Sequence, residues 1–396
     1  MSPSCPAHNA GGPRRAPGMR GCGGVLLCCV AAFLLNGCAS SSLDSVRSAL
    51  YSGRLEDAKT QLDQLPEGGK DQVLLMMERG LILQQLGYYE ESSADFLQAK
   101  RILGDLETYS VSKGGSSLVV NDNVQSFRGA PYERALLHAF TAKSYMALGE
   151  WNDAAVEARR MIFELSPQVR GNYPDNAYCR YMAGFCLALV GDRTNAEMQY
   201  RLASALTDTC AIDPRSGVLE IESPRTTEVT TDSHELVCFV GFGNNGPVYA
   251  HATEQAAGYA ELYYKGTYLG RSCLLADTAQ LEAETEKVDS TRKSAKTATR
   301  VVIKEGAAEM IGQSTDEVWG ELARVLLIGL LERPDVRHWQ SLPRRLHVAR
   351  VPCPPGLDEY DVVFKNANGY TTDTLHVEQP LQKHRTTYVS FCRDPR

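Results

Sequence analysis

The chain has 396 residues and a formal net charge of −7, with 43% hydrophobic and 22% charged residues. This length accommodates two domains of ordinary size, and the composition is typical of a soluble globular protein rather than a membrane bundle or a disordered chain. The mild negative charge argues against a nucleic-acid-binding protein, which would need a basic face, so we expect no nucleic-acid partner.

An apolar run near the N-terminus predicts an export signal. Residues 25–35 read VLLCCVAAFLL, which is too short to span a bilayer but has the length of a signal-peptide core, and Arg20 precedes it. The sequence LNGC, ending at Cys38, follows and resembles the lipobox of bacterial lipoproteins. The resemblance implies cleavage before Cys38 and acylation of that cysteine with lipid such as palmitate. We therefore assign residues 1–37 to a signal peptide. An uncleaved anchor or a buried helix is the alternative, and a start at Met19 would make the first 18 residues an extension.

The residues around the lipidated cysteine predict where the protein is held. Ala39 rather than Asp follows Cys38, and in lipoproteins of double-membrane bacteria this pattern implies sorting to the outer membrane, facing the periplasm. Residues 38–43 would form the lipidated cysteine and a short tether, which at roughly 3.4 Å per residue reaches only about 15 Å. Because several acyl chains anchor a protein firmly, the membrane is the first expected partner.

Four short segments predict a tetratricopeptide-like helical repeat array over residues 44–213. They begin at Gly53, Gly87, Gly149 and Gly191, and each has a small residue five positions later. The segments resemble the turn and the second-helix start of tetratricopeptide repeats. The glycine allows the tight turn, and the small residue lets the second helix pack closely. An unrelated helical bundle is the alternative.

The repeats also predict where paired helices touch. Gly80 and Gly184 each stand seven residues before a turn glycine, and Ala142 takes that place in the third repeat. Phe96 and Tyr200 fit the later core positions of their repeats. We therefore expect the helices to approach closely at the small residues.

The repeat spacing breaks between Gly87 and Gly149, and this predicts an inserted loop at about residues 104–131. Within it, SLVV and VQSF flank Asn121-Asp122-Asn123 and favour a short hairpin or a loop packed on the array. An insertion of this length in a compact array is more often functional or disordered than neutral.

The segment after the loop supplies the candidate site. Arg134 and His138 lie one helical turn apart, and Glu157 and Arg160 are neighbours on the next helix. One interpretation is a polar partner-binding site on the concave surface, closed by the loop. The other, which we favour, is an ion network that pins the loop to the repeats. The candidate residues are Tyr132, Glu133, Arg134, His138, Glu157, Arg159 and Arg160.

The same run, from Asn121-Asp122 through Tyr132-Glu133-Arg134 to VEARR, resembles a family of uncharacterised tetratricopeptide-repeat-containing bacterial outer-membrane lipoproteins. An R-x-W-x-x-L-P pattern at residues 337–343 resembles the same family, so the likeness covers both predicted domains. The family has no established activity that the resemblance could carry over.

The composition changes near Pro214, and residues 214–396 are predicted to form a second, mixed domain. Strand-like GVLEIE and ELVCFVGF open it, helical patterns follow at about 278–312 and 315–332, and LHVARV, EYDVVF, TLHVEQ and TTYVSF end it. We expect a small antiparallel sheet or sandwich with one or two helices packed on it, and Trp339 as a core anchor where the chain enters the sheet. The predicted fold class is therefore α+β multidomain.

An odd number of cysteines follows Cys38. They are Cys179, Cys186, Cys210, Cys238, Cys273, Cys353 and Cys392, so at least one thiol stays unpaired within the chain. We expect buried free thiols for most of them, with a Cys179–Cys210 or Cys353–Cys392 disulfide as the alternative.

No catalytic or cofactor motif emerges. The GxGxxG sequence from Gly241 to Gly246 precedes Pro247, so it predicts a turn leading to another strand rather than a dinucleotide site. We expect no cofactor, no metal and no enzymatic activity. The predicted function is a membrane-anchored interaction scaffold of the cell envelope that binds proteins or peptides in the repeat groove. The alternatives are a cell-wall or glycan enzyme, an accessory activator of peptidoglycan synthases, and a purely structural envelope protein.

Overall fold

The computed structural model of the chain describes residues 38–66, 68–112, 126–221, 234–243, 258–291, 337–378 and 382–394. The predicted signal peptide, most of the predicted hairpin and the predicted helix at 315–332 lie outside these residues. The chain divides into two compact units, Met1–Ser45 and Val46–Arg396, and every tertiary contact given below lies within the second.

The first half of the described chain is helical. One prediction here is wrong, because residues 39–43 are not an extended tether: the first helix already begins at Cys38. This segment contains no glycine or proline that would interrupt a helix. A helix advances only about 1.5 Å per residue, so the reach of this segment is shorter than expected. The helices are α1 Cys38–Tyr51, α2 Leu55–Asp63, α3 Gln72–Gln85, α4 Tyr89–Ser112, α5 Pro131–Ala147, α6 Trp151–Glu164, α7 Pro167–Arg170, α8 Ala177–Leu189 and α9 Arg193–Leu206.

The predicted turn glycines separate paired helices. Gly53, Gly87, Gly149 and Gly191 lie between α1 and α2, α3 and α4, α5 and α6, and α8 and α9, and their φ angles are 71°, 84°, 77° and 84°. Residues that have a Cβ atom rarely adopt this left-handed backbone conformation, which explains why glycine stands at these positions. The predicted helical hairpins are therefore present.

The paired helices touch where the sequence predicts. A Cβ atom placed on Gly80 would lie 2.6 Å from Cε1 of Phe96, and one on Gly184 would lie 2.9 Å from the Tyr200 ring. Both aromatic rings are fully buried, as is Ala142 in the third hairpin. The absence of a side chain at these two glycines lets a large ring from the second helix fill the interface.

The inserted loop begins later than predicted. Helix α4 continues to Ser112, so residues 104–112 are helical rather than loop. Gly104 lies within this helix and does not end it, because a glycine in an otherwise favourable helix costs only about 1 kcal/mol. The described end of the loop is anchored by Phe127, which is buried and donates its N–H to the Lys70 carbonyl oxygen.

The second half of the described chain forms two sheets and a helix, α10, at residues 278–291. A two-residue hairpin, β1 Ala211–Ile212 and β2 Leu219–Glu220, precedes them. The five-stranded sheet has the order β10-β11-β3-β7-β6, and the four-stranded sheet has the order β5-β4-β8-β9. The strands are β3 His234–Phe242, β4 Tyr259–Tyr264, β5 Thr267–Arg271, β6 Cys273–Asp277, β7 Arg345–Cys353, β8 Tyr360–Lys365, β9 Thr371–Val377, β10 Gln382–His384 and β11 Thr387–Arg393.

The two sheets pack as a sandwich, but the larger one is mixed rather than purely antiparallel, because β11 runs parallel to β3. Alternate residues of β3, such as Leu236 and Val240, join the core between the sheets. Phe239 points the other way, with its ring centroid 6.0 Å from that of Tyr178 and 5.7 Å from that of Phe185 on α8. Strand β3 is thus covered by helices on one face and by strands on the other, which explains its almost unbroken apolar sequence.

A disulfide joins the helical array to the sheet. Cys210, just after α9, is bonded to Cys273 at the start of β6. The alternative pairings, Cys179–Cys210 and Cys353–Cys392, are therefore wrong, since Cys179, Cys353 and Cys392 are free. The segment that follows α9 lies against β6 instead, where the Thr209 hydroxyl donates to the carbonyl oxygen of Leu274. Free, buried thiols were expected for most cysteines, and this is confirmed for Cys179, Cys186, Cys238, Cys353 and Cys392.

Candidate functional site

His138 and Glu157, two of the predicted site residues, meet in a closed ion network between α4, α5 and α6. Nδ1 of His138 lies 2.6 Å from Oε2 of Glu157, and Nζ of Lys100 lies 2.6 Å from the same oxygen. Lys100 also donates to Oγ1 of Thr141. Because His138 and Glu157 are buried, this network links three helices in the interior and does not line an open groove.

Burial and mutual contact set the charges of this network. Burial lowers the pKa of Lys100 and the pKa of His138, in each case against the opposing effect of Glu157. Burial alone would raise the pKa of Glu157, but the hydrogen bond with His138 and the charge of Lys100 bring it below its usual value. Lys100 and Glu157 therefore form the ion pair, and His138 is their neutral partner near pH 7.

The arginines among the predicted residues reach other partners. Nε of Arg134 donates to Oε2 of Glu164 over 2.9 Å and joins α5 to α6. Arg159 and Arg160 are exposed, and Arg159 reaches Asp192 just before α9. The structure therefore does not bring all the candidates into one site. Those that form ion pairs fasten neighbouring helices to one another rather than to the inserted loop.

Tyr132 and Glu133 belong to a separate cluster at the first turn of α5. Pro131 begins the helix, and Oε2 of Glu133 reaches back to accept the N–H of Ala130 over 2.6 Å. Oε1 of Glu133 accepts the N–H of Trp339, also over 2.6 Å. Burial raises the pKa of Glu133 to about 7, despite these two hydrogen bonds, and burial also raises the pKa of Tyr132. Glu133 therefore ties the start of α5 to a distant part of the chain.

That distant part, residues 337–343, is the R-x-W-x-x-L-P segment, which we call the docking segment. A second carboxylate holds it: Glu78 on α3, 1% exposed, accepts the N–H of Gln340 over 3.2 Å and the N–H of Ser341 over 3.1 Å. Arg47 lies 3.1 Å from the same carboxylate and balances its charge. Glu78 is not among the candidates predicted from the sequence, although an acidic residue within the apolar run VLLMMERGLIL is a signal that could have indicated it.

Trp339 is the side chain that anchors the docking segment. It is fully buried, and its ring meets Phe96 and Phe140 edge-on at centroid distances of 5.9 Å and 5.7 Å. Its indole N–H donates to Oγ of Ser341 over 2.9 Å. Trp339 is thus a core anchor as expected, but it packs on aromatic rings of helices α4 and α5 just before the chain enters β7.

A cleft of about 450 Å³ opens beside the docking segment, and we call it the junction cleft. The first turn of α5, helix α10 and the start of the docking segment line it, so it includes Tyr132, Glu133 and Arg134 of the predicted site. Both signs of charge face it. The other ionisable lining residues are Arg128, Glu282, Glu286, Asp289, Arg337 and His338.

Within the described ranges, no helix is long and apolar enough to cross a membrane. The same part of the chain holds no group of three or more His, Cys, Asp or Glu side chains that could bind a metal ion.

No known family profile matches the chain, and no curated protein does. Among solved structures, the chain is similar to a Podosopora anserina putative kinesin light chain with nearly identical TPR-like repeats and to a substituted form of the same protein. Each match has a TM-score of 0.31 and 15% sequence identity, and covers 42% of this chain and 73% of that chain. These neighbours are TPR-like repeat proteins, and a likeness this weak supports nothing about function.

Proposed function

We propose that this protein is a bacterial lipoprotein, anchored by lipid on Cys38 at the periplasmic side of the outer membrane, that serves as an interaction scaffold in cell-envelope assembly or maintenance. The lipobox-like LNGC sequence and Ala39 support the anchor and its destination. The helical hairpins support the scaffold, because stacked hairpins present extended surfaces that suit protein partners.

The observation that carries the scaffold proposal is how the array holds the docking segment. Glu78 and Glu133 accept three backbone N–H groups of this segment, and a pocket between Phe96 and Phe140 takes up the ring of Trp339. Backbone recognition combined with an aromatic anchor is how proteins bind extended peptides. The array therefore has groups that can bind an extended peptide, and in this structure they bind a segment of the same chain.

Because the array already binds the docking segment of its own chain, a separate partner would bind elsewhere. A partner in the repeat groove was expected, but the docking segment already fills the space between Phe96 and Phe140, and β3 packs on α8. Among the described residues, the junction cleft lies open beside the docking segment, and its mixed charges suit a partner segment that carries both signs of charge. We place the partner-binding surface there.

The anchor is tested by Cys38→Ser in the native host. Wild-type protein should incorporate radiolabelled palmitate and fractionate with the outer membrane, whereas the variant should incorporate none and appear in the soluble fraction. A variant that stays with the membrane after its signal peptide is removed would show that lipid is not the anchor.

The scaffold is tested by affinity capture from solubilised envelopes with quantitative mass spectrometry. Glu286→Lys reverses a charge in the junction cleft, and Glu91→Lys makes the same change on an exposed position of α4 outside it. We expect a stoichiometric partner with wild type and with Glu91→Lys, and its loss with Glu286→Lys. Capture without a stoichiometric partner, or turnover of peptidoglycan by the purified protein, would overturn the proposal.

A further inference from the structure

A second cavity, of about 300 Å³, lies apart from the junction cleft and shares no lining residue with it. The turn between α1 and α2, the ends of α3 and α5, and the end of β11 surround it. Leu50, Leu55 and Phe391 give it apolar walls, and Lys143 and Arg393 supply positive charge. A cavity of this size accommodates a small organic ligand.

Lys143 has no carboxylate partner within the part of the chain that the structure describes. Its amine lies over the faces of two aromatic rings, 5.1 Å from the centroid of Phe391 and 5.5 Å from that of Phe140. Burial lowers the pKa of Lys143 to about 8, and the nearby Arg393 acts in the same direction. An ammonium group in such surroundings gains strongly from an added negative charge.

The charges around the cavity indicate how much negative charge it accepts. Lys143 and Arg393 carry two positive charges, and Asp394 carries one negative charge. Arg393 already donates from Nη2 to the carbonyl oxygens of Ser341 and Gly243, which hold its guanidinium in place. A single additional negative charge would therefore balance the site, which favours a carboxylate over a phosphate dianion.

We propose that this cavity binds a monoanionic carboxylate that carries an apolar group. The carboxylate accepts hydrogen bonds from Nζ of Lys143 and faces Arg393, and the apolar group packs against Leu50, Leu55 and Phe391. The same chemistry comes from two sources, a free aliphatic acid or the carboxyl end of an apolar peptide. This site is independent of the scaffold function proposed for the junction cleft.

The test measures binding to the full chain by isothermal titration, with hexanoate and N-acetyl-leucyl-leucine as probes and their uncharged amides as controls. At least one of the two acids should bind. Its amide should bind at least about tenfold more weakly than the acid, as expected for the loss of a charged hydrogen bond. Tighter binding of hexanoate identifies a free acid as the source, and tighter binding of the dipeptide identifies a peptide end. Equal binding of acids and amides overturns the proposal.

Two variants connect binding to Lys143. Lys143→Met should lose the discrimination between acid and amide, whereas Lys143→Arg should keep it, and Lys287→Met on α10 is the matched control that should behave as wild type. If Lys143→Met fails to fold, nuclear magnetic resonance of the wild-type chain after reductive ¹³C-methylation provides a second test. The resonance of Lys143 should titrate at a higher pH with the acid bound than without it. An acid that binds without moving this resonance overturns the assignment.

Discussion

Trp339 makes the central contact between the docking segment and the helical array, so Trp339→Ala tests that contact most sharply. The side chain is fully buried, and removing a buried Trp costs about 3–5 kcal/mol. Each edge-to-face aromatic contact adds about 0.5–1.5 kcal/mol beyond the buried area, and Trp339 makes two. These contacts place the expected fall in the free energy of unfolding in the upper part of that range, at about 4–5 kcal/mol.

The assay is urea unfolding of the purified chain followed by far-ultraviolet circular dichroism. Trp151→Ala is the matched control, because Trp151 is only partly buried and its ring meets His384 at a centroid distance of 5.1 Å. We expect the control to lose about 1–2 kcal/mol. A loss below about 1 kcal/mol for Trp339→Ala, or equal losses for both variants, would refute the reasoning that the docking segment fastens the array to the sheet.

Three further predictions use the same unfolding measurements. Gly80→Ala should destabilise the chain by about 1–3 kcal/mol because its Cβ would lie 2.6 Å from a ring carbon. Gly104→Ala should instead stabilise it by up to about 1 kcal/mol, since no atom of the described residues lies within 4 Å of a Cβ placed there. Effects of the same sign for the two variants would contradict the packing described. The pKa of Glu133 is about 7 in the folded chain against an ordinary value of 4.5, so the folded state holds the extra proton. Stability should therefore fall by up to about 3 kcal/mol as pH rises from roughly 5 through 7. The stability of Glu133→Gln should not fall in this pH range. A wild-type stability that does not change with pH would argue against the raised pKa of Glu133. Cys273→Ser breaks a disulfide that spans 63 residues and should cost about 4 kcal/mol; reductant should lower the Tm of wild type comparably, and an unchanged Tm would contradict a stabilising role.

The features that could be predicted from the sequence follow from local, repeated requirements. A left-handed turn needs glycine, as at Gly53 and Gly191, and close helices need a small residue opposite a large one, as at Gly80 and Phe96. Alternating apolar residues were enough to find the C-terminal strands. Each of these patterns is contained in a short stretch of chain, so a single sequence reveals it.

The features that could not be predicted depend on contacts between distant residues. Glu78 binds Ser341 across 263 positions, and no local pattern links the two. Lys100, which completes the His138–Glu157 network, stands on a different hairpin. The parallel pairing of β11 with β3 likewise depends on the order of strands in space. The sequence therefore located the polar candidates but could not separate those inside the protein from those facing the junction cleft.

Photo-crosslinking from inside the junction cleft tests the scaffold proposal most directly. The lipidated chain would carry p-benzoylphenylalanine in place of Glu286, with the same replacement at Glu91 as the control, and would be irradiated in intact cells of the native host. The proposed function predicts one discrete adduct from position 286 that position 91 does not give, and that disappears when Cys38→Ser removes the anchor. No adduct from position 286, or the same adducts from both positions, would contradict it.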